Sequence, residues 1–204
     1  VGNRLDGVWR TTDGGSTWSA ASAGLTNQRV QSLAMDPADS ARLFAGTRGG
    51  VFVTVNGGVL WELASNGLTD LDVTVVAVDP DDPLLVFAST DDGLFRSVDG
   101  GANWQPSGAG LGGVDVTDLL AADNRWWAAT DTGVFVSDNG GTSWTVPGTP
   151  LALPVLAVAW DPRPDRWLAA ATEGGGIMIL AADGTWAVDD PVLAAETVES
   201  IAFA

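Results

Sequence analysis

GLFRSVDGGANW, residues Gly93–Trp104, is the stretch on which the fold turns. A short apolar run (Leu94, Phe95) enters a Ser-x-Asp-Gly-Gly turn and leaves it at a tryptophan. The pattern returns as GVWRTTDGGSTW (Gly7–Trp18), GVFVTVNGGVLW (Gly50–Trp61) and GVFVSDNGGTSW (Gly133–Trp144), and in shortened form as GIMILAADGTW (Gly176–Trp186). Successive tryptophans 18, 61, 104, 144 and 186 lie 43, 43, 40 and 42 residues apart. Self-similarity at that period marks an array of supersecondary units, none able to bury its apolar faces alone.

Asp-Gly-Gly or Asn-Gly-Gly between apolar strands is a hairpin signal, because glycine tolerates positive φ and the Asp or Asn side chain can bond backbone further along. The Ser or Thr two positions earlier can add bonds across the turn. The tryptophan buries a large ring whose N–H needs an acceptor. This motif resembles the Asp-box, or bacterial neuraminidase repeat, S/T-x-D-x-G-x-T/S-W. Thr11–Trp18 fits it fully. Ser97–Trp104 carries Asn103 and Ser137–Trp144 carries Asn139 at departures, Thr54–Trp61 departs at Asn56 and Leu60, and the fifth copy is two residues short. The box residues Asp13, Trp18, Asn56, Trp61, Asp99, Trp104, Asn139, Trp144, Asp183 and Trp186 are therefore expected to be structural. A repeated turn aspartate is spent on local backbone rather than on catalysis or metal.

Around each box the same strands recur. First strands are expected at 29–36, 73–79, 114–122, 155–161 and 197–204, with near-continuous apolar runs of the kind covered on both faces. Second strands follow at 42–47, 84–90, 125–130 and 166–172; the third leads into the box and the fourth begins at its Trp. Four-stranded units repeating at about 40 residues predict β-propeller blades. The expectation is an all-β, five-bladed propeller in a single domain, 1–204. Its blades are 28–66, 73–107, 114–147, 155–190, and a composite of 196–204 with 1–20 that closes the ring and removes an open sheet edge. The competing arrangement is a fragment of a larger ring, or an oligomer completed by another chain.

The net charge is −17, from 22 Asp, 4 Glu, 9 Arg and no Lys. That balance argues against nucleic acid and anionic membranes as partners and favours basic partners or divalent cations. The chain has no Cys, His or Tyr, so thiol chemistry, disulfides and a Ser-His-Asp triad are excluded. No apolar run reaches the length of a membrane helix. The start at Val1, without a signal pattern, suggests a trimmed segment of a longer protein, and an extracytoplasmic or secreted location is expected from the resemblance.

Gly108–Gly113 (GAGLGG) satisfies G-x-G-x-x-G but joins strands, not a strand to a helix, so no dinucleotide site is expected. The acidic clusters at 79–83, 91–92 and 189–190 match no calcium loop, and no cofactor is expected; they read as solvated turns. Sialidases with such boxes use, as the resemblance implies, a tyrosine nucleophile, which this chain lacks. Other Asp-box glycanases use two carboxylates, and nothing in the sequence singles out a pair. Trp9, Trp126, Trp127, Trp160 and Trp167 lie in expected strands, where packing between blades competes with a sugar platform.

Binding residues concentrate on loops held by a rigid scaffold. Here those loops are the second-to-third-strand turns and the interblade connections. They carry Arg4, Asp6, Arg29, Arg48, Asp72, Asp91, Asp92, Asp115, Asp131 and Glu173, with Glu196 beside them. The repeats also look like photosystem II assembly and stability factors, which, as the resemblance implies, are seven-bladed with a basic patch. The expected function is a non-catalytic scaffold presenting an acidic face to protein partners; the alternatives are a carbohydrate-binding propeller and then an Asp-box glycoside hydrolase.

Overall fold

The computed structural model describes residues 2–3, 7–161 and 168–203. Among these residues every regular element is a β-strand, and all paired strands are antiparallel. The chain divides into two compact units, Val1–Ser107 and Gly108–Ala204.

The first unit contains β1 (Gly2–Asn3), β2 (Gly7–Arg10) and β3 (Ser19–Ala20), which form one sheet in that order. The next sheet runs β4 (Val30–Met35), β5 (Leu43–Thr47), β6 (Gly50–Thr54) and β7 (Glu62–Leu63). A third runs β8 (Val73–Val78), β9 (Val86–Thr90), β10 (Gly93–Ser97) and β11 (Gln105–Pro106). In the second unit, β12 (Val116–Ala122), β13 (Arg125–Thr130) and β14 (Gly133–Ser137) form a sheet to which Thr145 adds a single bridge at Val136. The last sheet is β15 (Val155–Trp160), β16 (Leu168–Thr172), β17 (Gly176–Leu180) and β18 (Trp186–Val188). The repeat expected from the tryptophan spacing is therefore present as meandering sheets with chain neighbours paired.

Three features differ from the expectation. The fourth strands are stubs of two or three residues: β11 ends on Pro106, which has no N–H to continue the ladder, and the chain turns at Ala21-Ser22 after β3. Each of β4, β8, β12 and β15 carries a register shift near its start. Such a bulge re-aims a side chain out of the ladder. The composite sheet expected from 196–204 and 1–20 holds only β1, β2 and β3 among the described residues, and 197–203 form no strand. The backbone groups there are engaged locally: Glu196 accepts from the Gly176 N–H at 2.9 Å, and Val198 donates to the Thr172 carbonyl at 3.1 Å. Arg166 and Trp167 lie outside the described residues.

Within each unit the core sits between successive sheets. Val8 and Leu25 pack with Val30, Ala45, Phe52 and Trp61; Phe44 and Val51 pack with Val73, Val76, Val86, Ala88, Phe95 and Trp104. In the second unit Trp127, Ala129, Val134 and Val136 meet Val155, Val158, Leu168 and Ala170. First strands also lie side by side. Ser32 Oγ accepts from the Val76 N–H at 3.0 Å, and the Asp118 carboxylate accepts from the Val158 N–H at 3.0 Å. Ser32 and Asp118 stand directly after the shifted positions Gln31 and Thr117 and pair with Gly46 and Ala129, so the links between first strands form just past the bulge.

The box turn staples neighbours from the outside. Trp61 donates from its indole to Ala21 O at 2.7 Å and from its backbone to Ala23 O at 2.8 Å. Trp104 does the same to Ala64 O and Asn66 O, at 2.7 and 2.8 Å, and the Trp144 N–H reaches Ala109 O at 2.8 Å. The acceptor segments read Ala-Ser-Ala-Gly-Leu, Ala-Ser-Asn-Gly-Leu and Ser-Gly-Ala-Gly-Leu. Their glycines, Gly24, Gly67 and Gly110, have φ of +89, +98 and +94°, and a Cβ on any of them would collide with the carbonyl oxygen of the docked tryptophan. Arginines reinforce the staples: Arg10 donates to Gly57 O at 2.8 Å, and Arg42 to Gly100 O at 2.6 Å while lying 5.0 Å over the Phe44 ring.

Candidate functional site

The box aspartates are consumed by their own turns. The Asp13 carboxylate accepts from Thr11 Oγ1, Thr17 Oγ1 and the Thr17 N–H at 2.6 to 2.8 Å. Bonds from the Thr17 hydroxyl, then its backbone, then Thr11 lower its pKa to about 2. Asp99 is likewise held at about 2, first by the Asn103 amide and then by Ser97. Asn56 and Asn139 accept from Leu60 N and Ser143 N in the same geometry, so a charge is not required. Asp183, in the shortened box, bonds only Thr185, which lowers its pKa. Among the box tryptophans Trp18 and Trp186 stand apart, Trp186 half-buried and Trp18 exposed. The Trp18 ring is 46% exposed, against 2% for Trp61, 3% for Trp104 and 2% for Trp144.

At the opposite end of each sheet lies the turn between second and third strands. In the sheets that begin at β4, β8, β12 and β15 a threonine caps it: Thr47, Thr90, Thr130 and Thr172 donate to the carbonyls of Gly50, Gly93, Gly133 and Gly176 at 2.8 to 3.2 Å. Three of these hydroxyls also accept from a turn N–H, at Gly49, Asp92 and Thr132. These threonines are buried, so the turns are fixed from beneath. The signal was in the sequence as a Thr closing every second strand.

The sequence-predicted face residues project from these turns. In the first unit the structure brings Arg29, Arg48 and Asp72 together: the Arg48 N–H donates to Arg29 O at 3.3 Å, and Arg48 Nε lies 3.5 Å from Asp72. Asp72 also accepts from Gln31 Nε2 at 2.6 Å. The ion pair is half in water and contributes little to stability. Asp91 and Asp92 stand exposed on the β9–β10 turn. In the second unit the Asp131 N–H meets Asp115 O at 3.1 Å and the Glu173 N–H meets Pro154 O at 2.9 Å, leaving all three carboxylates exposed. Arg4 and Asp6 lie outside the described residues. Six carboxylates thus stand against two guanidiniums among the eight described residues.

Two features escaped the sequence reading. Asp118 is a largely buried carboxylate whose burial raises its pKa, against the backbone N–H bonds from Val158 and Leu119. It shares with Ser32 the job of linking first strands, and a single aspartate among the unlike equivalents Ser32, Val75 and Ala157 gives no repeat signal. The other is a cavity of about 390 Å³ in the second unit, bordered by Arg125, Trp127, Pro147, Gly148, Trp160 and Leu180. Trp127 and Trp160 lie 6.0 Å apart, tilted by 30°, and Arg125 pairs with Asp138 at 2.8 Å. Among the described residues no carboxylate lines it. Among the described residues no cluster of metal-ligating side chains forms, and no helix is long and apolar enough to cross a membrane.

No family model and no curated protein matches the chain. Solved structures do. An ancestral GH74 enzyme superposes with a TM-score of 0.72 at 20% identity, over 91% of this chain and 28% of that one. A GH74 xyloglucanase from Xanthomonas campestris gives 0.69 at 22% identity, over 92% and 35%. YCF48 bound to a D1 peptide gives 0.62 at 18% identity, over 88% and 60%. An extracellular domain from B. thetaiotaomicron, described as that of a hybrid two-component system, gives 0.64 at 16% over 81% and 23%. At these identities the likeness shows the fold, that of β-propellers, and the chain spans about a quarter to under two thirds of these proteins.

Proposed function

We propose that this chain is a non-catalytic β-propeller scaffold, its five repeat sheets forming one domain, that binds a basic protein segment through its turn face. The observation that carries this is the exposed carboxylates on turns fixed by buried threonines, Asp91 and Asp92 in the first unit and Asp131 and Glu173 in the second, with Asp115 exposed beside Asp131. Exposed like charges on preorganised turns raise the local concentration and association rate of a cationic partner. The likeness to YCF48 bound to a D1 peptide supports peptide binding as a use of this fold. The likeness to an extracellular domain supports an extracytoplasmic setting. No cofactor takes part in this reading.

The test is to present the immobilised chain with unstructured peptides of graded charge at two salt concentrations. Arginine-rich peptides should bind, weaken as salt rises, and fail to bind a variant in which the five carboxylates become Asn or Gln. Equal binding of acidic and basic peptides would defeat the reading.

A carbohydrate-binding reading is favoured by one observation, the Trp127–Trp160 pair beside Arg125 at the 390 Å³ cavity. Aromatic faces with a few polar groups suit a sugar ring. Retention of a glycan by the wild type and its loss in Trp160→Ala would promote this reading. Glycoside hydrolysis ranks third, since an acid–base mechanism needs two carboxylates across a cleft and the described lining of the cavity offers none.

A further inference from the structure

Arg42 and Arg125 stand at the same place of the repeat, each at the entrance of a second strand, β5 or β13, two residues before an aromatic ring, Phe44 or Trp127. In the first unit that place is full. Arg42 Nη2 donates to Gly100 O at 2.6 Å, and Nη1 donates to Pro83 O at 3.3 Å and to Asp36 at 3.2 Å. Gly101 of the same box lies so close to the Phe44 ring that a Cβ on it would come within 2.9 Å. In the second unit the box of the following sheet is the shortened one: Asp183 stands three residues before Trp186, where Asp99 stands five before Trp104. Gly184 O accepts from the Thr149 N–H at 2.8 Å, and the cavity of about 390 Å³ opens between Arg125, Trp127, Trp160 and Leu180. That is the size of a small-molecule site, about 300–1,000 Å³.

The polar chemistry of this cavity is one-sided. Arg125 is held at Nε by Asp138 at 2.8 Å, and among the described residues nothing accepts from its Nη1 and Nη2. Both partners of that pair are exposed, so it orients the guanidinium and leaves its fork open. Of the chain's 26 acidic side chains none among the described residues lines the cavity. Asp183, between the lining residues Ala182 and Gly184, accepts instead from the Thr185 hydroxyl at 2.6 Å and the Thr185 N–H at 3.0 Å. We infer that the cavity binds a small carboxylate carried on a ring, the carboxylate on the Nη fork of Arg125 and the ring on the half-buried Trp160. A guanidinium presents paired N–H groups in the geometry a carboxylate accepts, and an indole offers a flat apolar face. Aromatic acids and sugar acids share this chemistry. Such a ligand must be an anion and need not be a sugar, which separates this site from the carbohydrate reading, and it touches none of the carboxylates of the turn face.

The probes are naphthoate with its neutral counterpart naphthylmethanol, and glucuronate with glucose, each titrated into the full chain and followed by calorimetry and ligand-observed NMR. At least one acid should bind at millimolar concentration or below, about tenfold or more tightly than its neutral counterpart, the ratio expected of a hydrogen bond to a charged group. Which acid binds tells an aromatic source from a sugar source. Arg125→Gln, at an exposed position, should erase the preference for the acid and leave the neutral probe unchanged, whereas Trp160→Ala should weaken acid and neutral probe alike; thermal melts establish that both variants fold. Failure of both acids to bind overturns the inference. Equal binding of acid and neutral probe also overturns it, and for the glucuronate–glucose pair would leave the carbohydrate reading standing. A preference for the acid that survives Arg125→Gln, or a folded Trp160→Ala chain that binds as the wild type does, refutes it as well.

Discussion

Replacing Trp104 by alanine should destabilise the chain far more than replacing Trp18, although the two occupy the same position of the repeat. Trp104 is buried against Phe44, Val51, Val73 and Phe95 and donates its indole N–H to Ala64 O. A buried tryptophan removes about 150–250 Å² from water. At about 25 cal/mol per Å² this corresponds to roughly 4–6 kcal/mol as an upper bound. Measured Trp→Ala substitutions in cores, cavity included, cost about 3–5 kcal/mol, and that is the expected value. Trp18 retains nearly half its surface in water and makes no indole bond, so about 1 kcal/mol is expected, the ordinary effect of a substitution at a partly exposed site. Urea unfolding followed by circular dichroism measures both, compared at the midpoint with the slope unchanged. Equal losses, or a larger loss at Trp18, would refute the account of the box as a staple onto the preceding sheet.

The other expectations concern the turns. Gly67→Ala places a Cβ against the Trp104 carbonyl at a φ of +98° and should cost about 2 kcal/mol or more, whereas Gly15→Ala, also at positive φ but with open space around it, should cost only the conformational penalty of about 1 kcal/mol; thermal melts of the pair decide. Asp13 and Asp99 have folded pKa values of about 2, below the unfolded value, so their stabilisation is full above about pH 4 and is lost as pH falls through about 2. Asp99→Asn should flatten the fall in urea midpoint over that window, and an unaltered profile would contradict the bonding described. Trp186 buries an indole nitrogen that has no partner among the described residues, so Trp186→Phe should be neutral or stabilising, while Trp104→Phe should cost about 1–3 kcal/mol by orphaning a carbonyl.

The repeat and the strand order were legible because they depend on local chemistry that recurs at a fixed spacing. Asp-Gly-Gly dictates its own turn wherever it stands, and Asp99 or Asn139 can serve it alike. What the sequence could not show depends on neighbours. Trp18 has the best-matching box of the series, yet its burial needs a glycine turn that the described residues do not place beside it. The C-terminal segment has the apolar pattern of a first strand, but its start is drawn to Thr172 and Gly176 instead. Asp118 was invisible for the opposite reason: it is a single substitution in a repeated place, with Ser32 its counterpart, and its burial arises only once two first strands lie together. The Thr caps that fix the turns between second and third strands were seen only in the hydrogen bonds.

The binding claim meets its most direct test in affinity purification from the native source, comparing the wild-type chain with the variant neutralised at Asp91, Asp92, Asp115, Asp131 and Glu173. The account predicts a protein with a basic segment that stays on the wild type at low salt, leaves as salt rises, and is absent from the variant. Retention of the same protein by both, or hydrolysis of a polysaccharide by the wild type, would contradict it.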